Sequence, residues 1–373
     1  MNDSGFCAVI STKSSARVKK HKNKGLPSMR CLLQIILLLT CALSFGCKVD
    51  DLEDRHATSS EKPSGAPEGY FSISGRILKG IVHGATVSVH PFIAGSYVAE
   101  PVAQTSSDSE GFYSIYVPES YIGRPALVKV SAVQGNMKCD LPDGCVDGEF
   151  GSWVPLSDNP FTLNVGIPEL RHEGIYNGTV LTHLGFALAE AEVDQNRDLE
   201  NGLSEIKLRA RLLNANSRIA SAFGVVGDLP SHSVVDVTDA DERKIAKVAA
   251  LEYSMLNGAV VGLAQAIYGD DKYADAIQNL VLQFVAVGMP GSSPEAAEVS
   301  MVAVADSLIQ MYRKFSESSQ ESYTERLSGL FALRALYLND AADQYFSGVA
   351  SDNANLTYLE KARRLVESVR EIA

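Results

Sequence analysis

The sequence predicts a multidomain chain, with an all-β sandwich over 70–167 followed by an all-α helical bundle over 168–373. Three patterns predict it. Short apolar runs alternate with period two between Tyr70 and Ile167. Helical spacing replaces them after Pro168. A polar stretch, 47–69, separates both from an apolar run near the N-terminus.

The totals suit this division. A chain of 373 residues holds about two or three domains. Its 46% hydrophobic and 21% charged residues suit a soluble protein with a core. Residues 1–46 hold seven basic side chains and one acid, Asp3, so the rest carries 26 basic against 44 acidic residues, a formal charge of -18. Such a surface repels polyanions, which argues against nucleic-acid binding.

The apolar run from Cys31 to Cys47 is shorter than the roughly 20 residues of a membrane span. It suits the apolar region of an export signal, with Arg30 as its leading charge. Met29 directly precedes Arg30, so translation is expected to start there and residues 1–28 to be an extension. The run ends Leu43-Ser44-Phe45-Gly46-Cys47, which resembles a bacterial lipobox. Gly46 fits the small residue before the acylated cysteine. Ser44 and Phe45 stand where the family usually has Leu and a small residue. The resemblance implies a lipoprotein anchored to the membrane through Cys47. Cys41, an ordinary cleaved signal and an uncleaved anchor are the other readings, and all place the domains beyond the inner membrane. Lys48, where Asp would mark retention, implies by resemblance to Gram-negative sorting an outer-membrane lipoprotein. Residues 48–69 are polar with Pro and Gly and read as a flexible tether.

The β region follows. Phe71, Ile73 and Ile77 share one side of FSISGRI, with Gly75 placed for a bulge. Val87 and Val89 alternate with polar neighbours, and Val128, Val130 and Ala132 alternate against Leu127. Asp108-Ser109-Glu110-Gly111 signals a turn. The order of Gly75, Gly84, Ala85, Val87, Val89, Thr105, Gly111, Phe112, Tyr113 and Val117 resembles the carboxypeptidase regulatory-like domain, a transthyretin-type or Ig-like β-sandwich. The resemblance covers about 70–167 and rests on turn and core positions. It implies a non-catalytic accessory module, in a fold sometimes grouped with carbohydrate-binding domains.

Cys139 and Cys145 are the only cysteines after Cys47. An isolated pair in an exported chain reads as a disulfide closing a small loop, worth about 2–3 kcal/mol. The alternative is a metal site with Asp140, Asp143 and Asp147.

In the helical half, Leu181, Leu184, Leu188 and Ala191 share one face, and Leu208, Leu212, Ile219 and Phe223 another. The stretch 248–269 is apolar nearly all round and is expected at the centre. Ser293-Pro294-Glu295 reads as a helix start, with Val299, Val302, Ala305, Leu308, Ile309, Tyr312 and Phe315 as its stripe. Thr357 and Glu360 have capping-box spacing before a last helix. About six or seven helices are expected. Val180, Leu181, Thr182, Leu184, Ala220, Phe223, Gly224, Asp228 and Leu229 resemble a group of bacterial lipoproteins in which a regulatory-like β domain leads into a helical one.

Asp194, Asn196, Asp198, Glu200 and Glu205 place oxygen side chains at EF-hand-like spacing, which suits calcium. Leu199 stands where the turn needs Gly, and a solvated interhelix loop is the competing reading. No P-loop, nucleophile elbow or zinc-protease motif occurs, and the histidines are scattered. No cofactor other than calcium is implied. The sequence therefore points to a non-enzymatic envelope lipoprotein with a structural or binding role, its partner an envelope protein or a glycan. A carbohydrate-binding module is the first alternative. A hydrolase at the domain junction, beside His172 and His183, is the second.

Overall fold

The computed structural model describes residues 66–146, 148–195, 203–269, 271–287 and 299–319, with Tyr323, Arg326, Leu327 and Leu330 beyond them. Cys47, its apolar run, most of the tether, the helix start at Ser293 and the helix expected after Thr357 lie outside the described residues. The described residues belong to one compact unit, Lys62–Ala373. In it a β-sheet region leads into helices at Val180.

Three sheets make up the β region. In the first, β1 (Tyr70–Leu78) pairs antiparallel with β6 (Phe112–Pro118). The same strand runs parallel to two short strands, β11 (Gly174–Ile175) and β12 (Gly178–Thr179). In the second, β3 (Thr86–Ile93) lies between β5 (Ala103–Ser106) and β7 (Ala126–Ala132). There β10 (Phe161–Ile167) extends β7, and β4 (Ser96–Tyr97) folds back on the end of β3. The third is small: β2 (Val82–His83), β8 (Asn136–Lys138) and β9 (Trp153–Pro155). Alternation sets the faces. In β7, Ala126, Val128, Val130 and Ala132 are buried and Lys129 is exposed. The turn before β6 forms where expected, Asp108 Oδ1 accepting from the backbone N–H groups of Glu110 and Phe112.

Gly75 does not make a bulge. The β1–β6 register runs unbroken from Tyr70 opposite Pro118 to Arg76 opposite Phe112. Glycine is needed there for space. A Cβ at Gly75 would sit 2.3 Å from the Tyr176 carbonyl oxygen and 2.8 Å from the Tyr113 ring. The Tyr113 hydroxyl donates to that same carbonyl at 2.5 Å, so the contact joins β1, β6 and the chain leading to the helices.

The helices cover the second sheet. They are α1 (Val180–Gln195), α2 (Glu205–Ala222), α3 (Ala240–Ile245), α4 (Val248–Tyr268), α5 (Tyr273–Val287) and α6 (Met301–Ser319), six among the described residues. Over β10, the missing side chain of Gly166 leaves room for Leu212 of α2 and Phe186 of α1. A continuous apolar core therefore runs from β1 to α6. The α1 start is capped reciprocally. Thr179 Oγ1 accepts from the Thr182 N–H at 3.1 Å, and Thr182 Oγ1 accepts from the Thr179 N–H at 2.9 Å. Asn257 of α4, fully buried, accepts from the Leu181 N–H at 2.9 Å. The central helix is α4, buried on nearly every side as its composition predicts. In α6 the expected stripe from Val302 to Phe315 is buried throughout. The short α3 had no apolar stripe to announce it; Asp239 caps it by accepting from Asp241 and Glu242.

Charged pairs hold the β region together and join it to the helices. Lys79, at the end of β1, meets Asp140 with Nζ 2.6 Å from Oδ1, and both side chains are buried. The Gly80 N–H donates to Asp140 Oδ2 at 2.7 Å. On α4, Gly258 and Gly262 form a notch one turn long. Cβ atoms there would meet Asp140 Oδ2 and Leu141 Cδ2, each at 2.8 Å. The guanidinium of Arg76 forks onto Glu242 of α3 at 2.8 and 2.9 Å.

Gly75→Ala is expected to destabilise the protein by about 2–3 kcal/mol, because both neighbours of the new Cβ are fixed. Chemical denaturation of the purified variant against the wild type checks this. A loss under about 0.5 kcal/mol, the range of ordinary surface substitutions, would show that the contact is not tight.

Candidate ligand-binding face

The small sheet β2–β8–β9 presents two unlike faces. Val82, Met137 and Val154 lie side by side in register and point into the core. Alternation sends His83, Asn136, Lys138, Trp153 and Pro155 to the other face. Trp153, the only tryptophan of the chain, stays 45% exposed there. Its ring lies edge-on to His83 with centroids 6.5 Å apart. Lys138 Nζ stands 5.5 Å over it.

Helical-region residues set the position of Lys138. Asp236 Oδ2 accepts from Lys138 Nζ at 2.6 Å. Its other oxygen accepts from the Thr238 N–H at 2.9 Å and from the Thr238 hydroxyl at 2.6 Å. The Asp236 N–H donates in turn to Glu242 Oε2 at 2.8 Å, the carboxylate that holds Arg76. A polar chain thus runs from the core strand β1 to the exposed ring. It holds Lys138 in place beside the exposed ring.

The connection from β8 to β9 is the cysteine loop. Cys139 Sγ and Cys145 Sγ lie 2.16 Å apart, at disulfide distance. The Cys139 N–H donates to Ser152 O and the Gly151 N–H to Cys139 O, so the loop returns beside its start. Asp140, an oxygen in the alternative metal reading, is occupied by Lys79 and Gly80. Asp143 is exposed, and Asp147 lies outside the described residues.

The calcium candidates are only partly described. Asp194 falls in the last turn of α1, and Asn196, Asp198 and Glu200 lie outside the described residues. Glu205 opens α2 and pairs with Arg124 at 2.5 Å. Among the described residues no group of three or more His, Cys, Asp or Glu side chains is placed to hold a metal. No helix among them is long and apolar enough to cross a membrane.

The histidines sit in separate places. His172 packs edge-on to Phe71, and His232 lies edge-on to Tyr253 with centroids 4.5 Å apart. His183 Nδ1 accepts from the Asn164 N–H at 3.0 Å, so the proton is on Nε2. Burial lowers its pKa to about 4. His90 lies on β3 two residues from Ser88. Its Nδ1 donates to Val98 O at 2.9 Å, which leaves Nε2 to accept from Ser88 Oγ at 3.0 Å. This contact orders a serine beside a base. It is built along one strand, however, and Ser88 is nearly enclosed between β5 and β7.

Trp153 is not among the residues that the sequence singles out. The usable signal was a lone tryptophan in a polar stretch, one residue from the buried Val154. Compared with protein-family models, with curated proteins and with solved structures, the chain finds no match.

His183 makes stability depend on pH. Its folded pKa lies below the ordinary 6.5, so on acidification the unfolded chain takes the proton first. Stability is full above pH 6.5 and falls by about 2–3 kcal/mol toward pH 4. His183→Gln keeps an acceptor for Asn164 and is expected to flatten this slope in denaturation curves. An unchanged slope would assign it to carboxylates instead.

Proposed function

We propose that the chain is a non-catalytic outer-membrane lipoprotein, anchored at Cys47, that binds a surface ligand on the Trp153 face. The exposed ring of Trp153, held between His83 and Lys138, is the observation that carries the binding role. An exposed tryptophan in a fixed polar setting is the kind of residue that dominates binding energy. The anchor rests on the lipobox-like end of the apolar run and the polar tether after it. The strand order and turn residues support a regulatory-like β-sandwich as the carrier of this face. By fold analogy that module is an accessory domain without chemistry of its own.

A glycan is the ligand class the face favours. Sugar rings offer an apolar C–H face to an aromatic plane and hydroxyls to the polar rim. His83, Asn136 and Lys138 supply that rim on the same side as the ring.

Trp153 is the sole tryptophan, so tryptophan fluorescence of the full chain reports this face alone. Glycans that bind on an array are expected to shift that emission on titration. Trp153→Ala is expected to weaken binding roughly tenfold or more, or about 1.4 kcal/mol, with unchanged thermal stability. Binding that survives the substitution would place the ligand elsewhere. Radiolabelled palmitate is expected to enter the wild type and not Cys47→Ser; equal labelling would refute the anchor.

A further inference from the structure

Lys79 and Asp140 hold one another in an unusual setting. Both side chains are buried, and Nζ lies 2.6 Å from Oδ1. The ammonium has three N–H donors. Among the described residues it has Asp140 as acceptor and the ring of Tyr273 beneath it, 4.7 Å from the centroid. Asp140 Oδ2 is held separately by the Gly80 N–H at 2.7 Å. The Tyr273 hydroxyl is buried and has no hydrogen-bond partner among the described residues. Burial and the nearby Asp140 charge keep it a neutral phenol. Its backbone is fixed, the Tyr273 N–H donating to Asn159 Oδ1 at 2.7 Å.

We propose that Lys79 and Asp140 condense into an intramolecular amide, a covalent bond between Nζ and Cγ. Nζ lies 2.6 Å from Oδ1, the atom bonded to the carbon it would attack, and a pair held together in this way reacts as one molecule. The step balances without any co-reactant. A proton passes from Nζ to Oδ1 along their hydrogen bond, which turns the ion pair into an amine and a carboxylic acid. The amine then attacks Cγ, and the charge that develops on Oδ2 is met by the Gly80 N–H, as in an oxyanion hole. Nζ loses a second proton to Oδ1 along the contact that already joins them. Oδ1 leaves as water, and Oδ2 becomes the amide oxygen. The product removes two charges and two N–H donors from the core. It also bolts the end of β1 to the cysteine loop seated on α4.

Mass spectrometry of the purified full chain tests this. The folded wild type is expected to be lighter than its sequence by one water, beyond the disulfide. A tryptic digest is expected to contain a branched peptide joining Lys79 to Asp140, with no cleavage after Lys79. Lys79→Arg is expected to restore the full mass. Asp140→Asn is expected to lose ammonia in place of water. A folded wild type of full mass, cleaved after Lys79, overturns the proposal.

Discussion

The contact between Lys79 and Asp140 constrains more of this structure than any other. Two opposite charges taken fully out of water must be matched closely, since each costs several kcal/mol when left alone. Their neighbours follow from that need. Gly80 takes a left-handed backbone that aims its N–H at the carboxylate. Gly258 has no side chain because the carboxylate lies against α4, and Gly262 leaves room for Leu141 one turn on. The Cys139–Cys145 link closes the loop that carries Asp140. The node sets strand end, loop and central helix in one register, whatever bond joins the pair.

A second chain of polar contacts extends that register outward. Arg76 is buried on β1 and needs a carboxylate, which α3 supplies from 166 residues away. The same carboxylate holds Asp236, and Asp236 holds Lys138 beside Trp153. The helices are thus part of the mechanism that presents the ring. A β module alone would leave Arg76 buried without its partner and Lys138 free to swing. This dependence explains why the β region and the helices pack as one unit although their sequence patterns change sharply at Pro168.

Local pattern was readable in the sequence, and distant pairing was not. Val128 and Val130 alternate with Lys129 because a strand has period two, and that holds in any fold. The α4 stretch reads as central because it is apolar nearly all round, with Glu252 its one charged residue. Gly75 shows where the reading stopped. A glycine in a strand signals a bulge or a close backbone approach, and only Tyr176, far along the chain, decides between them. The helix α3 has six residues, too few for a periodic stripe, though Asp239 and Glu242 had capping-box spacing. Lys79, Asp140 and Tyr273 are ordinary residues in three separate segments, so their meeting leaves no local trace. Trp153 was visible, but its exposure depends on Val154 taking the inward place beside Val82 and Met137.

The charge balance of the Trp153 face narrows what it suits. Lys138 stands over the ring, and Asp236 already pairs with it at 2.6 Å. A polyanion would have to compete with that buried carboxylate and with the chain's net charge of -12. A neutral ligand meets neither obstacle. It gains the open ring face, and it finds hydrogen-bonding groups whose positions the helices have already set. Order held in place before binding lowers the entropy lost on association. Under the proposed binding role, a face fixed in this way would suit a sugar ring better than a charged polymer.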